Sequence, residues 1–151
     1  MSVRFILTQV APLRPDIGFV IHGGCGHSFA TGCRLPNVFF DPDMDHFDHY
    51  TAPGFRGLNP VTTGGGSNLK LLQYFSREIP VISTSFGMRG HDDLTPHAIV
   101  CEPAGFREAF DAPCPPPAPE SILRRYEWSN VATTMLGVYR RLLSPQPAET
   151  T

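Results

Sequence analysis

Residues 58–90 read LNPVTTGGGSNLKLLQYFSREIPVISTSFGMRG, and the order of local signals in this stretch decides the fold class. Arg56 to Val61 (RGLNPV) has the character of a weak strand and runs into the glycine turn Gly64-Gly65-Gly66. Ser67 to Arg77 (SNLKLLQYFSR) then reads as a helix. Leu69, Leu71, Leu72, Tyr74 and Phe75 give it a broad apolar face, and Ser67 or Asn68 is placed to cap its start. Pro80 to Ser83 (PVIS) returns to β-branched strand character, and Gly87 to Gly90 closes a tight loop. Strand, glycine turn, helix and strand in this order form one crossover unit of a parallel sheet.

The same alternation extends outward. Val3 to Leu13 carries Val3, Ile6, Leu7 and Val10 at helical spacing and stops at Pro12 and Pro15. Gly18 to Ile21 is a short apolar run closed by His22-Gly23-Gly24-Cys25-Gly26, and Val38 to Phe40 is a second run, ending at Asp41-Pro42. Met44 to Tyr50 suits a short helix. Further on come a strand at His97 to Cys101, a helix at Gly105 to Phe110 and a long helix at Trp128 to Leu143, with Val131, Met135, Val138, Leu142 and Leu143 expected to face inward and Trp128 and Tyr139 expected in the core. Short, wholly apolar strands between helices predict an α/β fold: one Rossmann-like parallel sheet flanked by helices on both faces. Ligands bind such sheets beyond the carboxyl ends of the strands.

Composition narrows the function classes. The chain has 151 residues, 41% hydrophobic and 17% charged, with a net charge of -2, which fits one folded domain and offers no bulk attraction to nucleic acid or anionic lipid. Residues 1–144 are expected to form the domain and 145–151 a flexible tail. Ala112 to Pro119 (APCPPPAP) must be an extended connector. Cys25, Cys33, Cys101 and Cys114 include no CxxC pair and no zinc-type cluster, so free thiols in a reducing compartment are expected. No stretch reads as a signal peptide or transmembrane segment. The expected location is cytoplasmic, with peripheral attachment at the inner membrane face left open.

The chemistry sits in three loops that follow strands: HGGCG at 22–26, TTGGGSN at 62–68 and TSFGMRG at 84–90. A glycine turn that opens a helix lets the backbone approach a phosphate closely, while the first helical N–H groups lack internal partners and point at an anion. The pattern is neither GxGxxG followed by an acidic residue nor GxxxxGK[ST], which argues against a dinucleotide enzyme.

The stretch at 58–90 resembles, without a gap, the signature of the C-terminal domain of GT-B glycosyltransferases of the family 4, group 1-like kind. PDIGFVIHGG, LPNVFF, HAIVCEPAGFREAF and WSNVATTMLGVYRRLL resemble its flanking pieces, so the likeness spans roughly residues 4–143. The resemblance implies two facing Rossmann-like domains, of which this is the nucleotide-sugar-binding one, with a UDP- or GDP-sugar as donor, an unspecified acceptor, no cofactor and no metal. By that likeness Gly64, Gly65 and Gly66, with Ser67 and Asn68, lie against the donor diphosphate or sugar. Gly23 and Gly24 lie near the nucleotide, Gln73 stands at the ribose position, and Phe86, Gly87, Met88 and Arg89 line the following loop. No catalytic residue is assigned. Retention of anomeric configuration is favoured.

Two departures from the pattern matter. Gln73 stands where a glutamate is usual and lacks the charge-assisted bond. The N-terminal domain and the first strand of this domain are expected to be missing, so the alternative is a truncated or non-catalytic subunit that works with a separately encoded N-terminal domain or as a homo-oligomer. Other residues invite plainer readings. Arg89 is as well read as a surface arginine as a phosphate ligand, and His22 as a structural histidine as a ligand. Lys70 suits a solvated helix face. DPDMDHFDH at 41–49 suits a solvated acidic loop, because it lacks the glycine and distal glutamate of a calcium loop.

Overall fold

In a computed structural model of the chain, which describes residues 2–66 and 68–143, the chain divides after Ala118 into two compact units. Ser67 and residues 144–151, including the tail expected at 145–151, lie outside the described residues. In the first unit, Ser2–Phe5 (α1) runs on without a break through Ile6–Val10 and Ala11–Leu13, so the N-terminal helical reading holds, with its winding first loosened and then tightened ahead of Arg14. Strands follow at Phe19–His22 (β1), Val38–Asp41 (β2), Gly57–Asn59 (β3), Val81–Ser83 (β4) and Ala98–Val100 (β5). Between them lie His27–Ala30 (α2), a tightly wound helical run at Met44–Thr51 kinked at Tyr50, and Leu69–Phe75 (α3); Phe106–Ala109 (α4) comes after β5.

The fold is α/β with small parallel sheets flanked by helices. The expectation of one sheet is corrected: β1 pairs with β2, β3 with β4 and β4 with β5, all parallel, and β1 and β3 share no ladder. Both sheets nevertheless cover one core. Phe19 of β1 and Ile82 of β4 pack with Ile6, Val10, Ala11, Phe106 and Ala109, and Val38, Leu58 and Ile99 of the other strands close around them. The opposite face carries α3, whose Leu71 and Phe75 are buried. There Tyr74 presses on β3 so closely that a Cβ at Gly57 would lie 2.6 Å from its ring, which is why that strand position takes glycine.

The second unit holds Glu120–Leu123 (α5), a tight turn at Arg124–Tyr126 and Trp128–Leu143 (α6). The extent of α6 agrees with the sequence reading, but its inward face does not. Met135, Val138, Leu142 and Leu143 are 41–82% exposed, and Trp128 and Tyr139, expected in the core, are exposed as well. Helical spacing identifies an apolar stripe but not what covers it. No helix among the described residues is long and apolar enough to cross a membrane.

Candidate functional site

Because β3 and β4 are parallel neighbours, the loops that follow them emerge at one sheet edge. A buried polar network fixes the two loops against each other. Asn59, fully buried at the end of β3, donates through Nδ2 to Ser83 Oγ (3.0 Å) and to the Gly87 carbonyl (3.2 Å). Asn68 Nδ2 donates to the same carbonyl at 2.7 Å. The Gly87 N–H donates to Thr84 Oγ1 at 2.9 Å, and the Thr84 hydroxyl donates to the Val61 carbonyl. A Cβ at Gly87 would lie 2.5 Å from Asn59 Nδ2 and 2.9 Å from the Asn59 carbonyl oxygen, so no larger residue fits. These bonds hold the two loops against each other, while the buried Asn59 Oδ1 has no hydrogen-bond partner among the described residues. The sequence reading passed over Asn59, Ser83 and Thr84; their signal was polar residues placed at the ends of otherwise apolar strands.

On this support the triple-glycine turn stands open. Gly64, Gly65 and Gly66 are exposed, nothing lies within 4 Å of a Cβ built on any of them, and Gly64 and Gly66 adopt φ of 123° and 87°. Only glycine takes such angles without strain. Arg89 crosses from the β4 loop, donating to the carbonyls of Gly64 (3.3 Å) and Gly66 (3.2 Å) while its guanidinium stacks 4.3 Å from the centre of the Phe86 ring. The turn's carbonyls are thus directed at a cation. Among the described residues, its three N–H groups have no protein partner. Asn68 precedes α3 but makes no side-chain cap; its Nδ2 is held by the Gly87 carbonyl, and in the first turn of α3 the Leu71 N–H donates to the Asn68 carbonyl at 2.9 Å.

The other site residues are distributed differently. Met88 and Gly87 are buried beneath the loop, Phe86 is half-buried, and Arg89 is exposed. Gly23 is buried and donates to the Asp41 carbonyl, while Gly24 is exposed; both follow β1 and belong to the other sheet edge. Gln73 is exposed on α3 and, with Lys70, Tyr74 and residues of β1 and β3, lines a groove of about 920 Å³. Lys70, read from sequence as solvated, therefore borders a concave surface. His22 also lines the groove, with its ring 5.6 Å from Phe47 and 5.5 Å from Tyr50, and its buried Nε2 has no hydrogen-bond partner among the described residues.

The acidic run is tied into the structure. Tyr50 donates its hydroxyl to Asp41, and this bond, with burial adding to it, pushes the phenol up to about 12. Asp48 pairs with Arg77 at 2.6 Å, and the Arg77 guanidinium lies over the Phe47 ring. The side chains of Asp45 and His46 lie outside the described residues. Cys33, Cys101 and Cys114 are free thiols, and burial pushes Cys101 above the ordinary thiol range.

Comparison with known proteins yields no matching family model, no matching curated protein and no matching solved structure.

Proposed function

We propose that this chain is a nucleotide-sugar-binding domain of a glycosyltransferase: a Rossmann-like domain of the GT-B C-terminal type that holds the donor while its sugar passes to an acceptor. The observation that carries the reading is the open triple-glycine turn at the carboxyl edge of a parallel sheet. Among the described residues its N–H groups have no protein partner, and Arg89 sits beside it. Amides arranged this way accept a diphosphate, and the same groups stabilise the charge that grows on the leaving nucleotide as the glycosidic bond breaks. Arg89 contributes by holding the Gly64 and Gly66 carbonyls away from the anion and by adding positive charge. Gln73 on the groove wall offers an amide to the ribose hydroxyls, a weaker bond than a carboxylate would make.

Isothermal titration with UDP, GDP and their sugars tests this. Saturable heat with one nucleotide series is expected. Arg89→Ala is expected to weaken it by about tenfold or more, the loss of charged-donor hydrogen bonds worth roughly 1.5–3 kcal/mol. Absence of heat with every nucleotide would end the reading. Gln73 favours a second reading, a non-catalytic subunit that binds donor weakly and needs a partner domain. Sugar transfer by the chain alone would exclude it.

A further inference from the structure

The donor reading uses nothing from the second unit, whose longest element is α6. At about 100° per residue, every apolar side chain from Trp128 to Leu143 falls on one arc of about 160°, bounded by Val138 on one side and Leu136 on the other. The rest of the circumference holds only serine, asparagine, threonine, glycine and arginine. There Thr133 and Thr134 return their hydroxyls to the carbonyls of Ser129 and Asn130 at 2.8 and 2.9 Å, so these two groups are satisfied within the helix. The apolar arc is bare: Trp128 is 78% exposed, Leu142 75% and Leu143 82%. An exposed apolar surface of this extent marks contact with another body.

Spacing alone does not say what covers the arc; its width and charge do. We infer that α6 lies in the plane of an anionic phospholipid surface, with its apolar arc sunk to the acyl boundary and its arginines on headgroup phosphates. The chain as a whole has a net charge of -2, yet α6 carries Arg140 and Arg141 and no aspartate or glutamate. Arg140 lies about 40° beyond Leu136, and Arg141 about 60° beyond Val138, so one guanidinium flanks each border of the arc. Arginines so placed lay their stems along apolar surface and reach outward to phosphate. Trp128 and Tyr139, both on the arc, carry the amphipathic rings that favour the headgroup boundary. A paired helix would need only a narrow seam, and a second α6 would bring arginines with no carboxylate to meet them. The 16 residues reach about 24 Å, short of the roughly 30 Å hydrocarbon layer, so the helix lies on the bilayer rather than through it. This inference rests on α6 alone and is independent of the donor reading.

Trp128 is the one tryptophan of the chain, so intrinsic fluorescence reports on this face. The whole chain is titrated with vesicles of equal parts phosphatidylcholine and phosphatidylglycerol, and with vesicles of phosphatidylcholine alone. A saturable blue shift is expected with the anionic vesicles, together with quenching when their acyl chains are brominated. Affinity for the neutral vesicles should be about tenfold lower or more, and the double variant Arg140→Gln, Arg141→Gln should lose about as much on the anionic ones. Leu142→Glu should abolish the shift; the position is exposed, so an unchanged circular dichroism spectrum is expected to accompany the loss. Any one of four results would overturn the inference: no saturable shift with anionic vesicles, equal affinity for neutral ones, full affinity in the Leu142→Glu variant, or a blue shift that grows with protein concentration in the absence of vesicles. The last would make the occupant a second copy. The comparison of the two vesicle types uses the unaltered chain and stands even if a variant does not fold.

Discussion

At the scale of single residues, two glycines of neighbouring loops separate scaffold from site. Gly87 is buried with Asn59 pressed against it, whereas Gly65 stands in open space at an unstrained backbone angle. Gly87→Ala is expected to cost about 1–3 kcal/mol in urea unfolding, the usual penalty of overpacking. Gly65→Ala should leave stability within about 0.5 kcal/mol, as surface changes do. It should still weaken donor binding by about fivefold to tenfold, because its methyl group keeps a phosphate from one amide. A third residue sets a pH dependence. His91 is buried, and burial holds its imidazole below the ordinary histidine value against the opposing pull of Asp93 and Asp92. As the pH falls below about 6.5 the unfolded chain takes up the proton first. The stability this residue contributes is therefore complete above that pH and drains away as the pH falls towards the lower folded value. Urea midpoints measured from pH 7.5 to 5 should decline, and His91→Gln should flatten the decline.

At the scale of elements, strand and helix positions were legible because each apolar run is short and bounded by glycine or proline. The five strands fall within one residue or two of the runs read from sequence, and α6 has the expected limits. What periodicity could not supply was contact. Leu69 and Leu71 look alike in the sequence of α3, yet Leu69 is 53% exposed and Leu71 fully buried. Leu71→Ala is accordingly expected to cost about 2–5 kcal/mol in denaturant unfolding and Leu69→Ala well under 1 kcal/mol. The exposed face of α6 has the same explanation, since an amphipathic pattern does not name its partner. The division into two sheets was likewise hidden. Strand propensity belongs to each segment, but whether β1 and β3 pair depends on the space between them. The glycine turn was legible as an open bend before a helix. The use of Asn68 was not: a residue read as a helix cap makes no side-chain cap and donates through Nδ2 to the Gly87 carbonyl.

At the scale of the whole molecule, the first unit is an α/β fold whose carboxyl edge carries the glycine turn and Arg89 and in which β1 and β3 share no ladder and both border the groove. The most direct test of the donor reading is residue-resolved. Backbone amide spectra of the labelled chain are followed as UDP, and then GDP, is added. The account expects the largest saturable shifts at Gly64, Gly65 and Gly66, with the Arg89 guanidinium signal moving at the same nucleotide concentration. Saturable shifts confined to other surfaces, with the amides of the turn unmoved by either nucleotide, would contradict it.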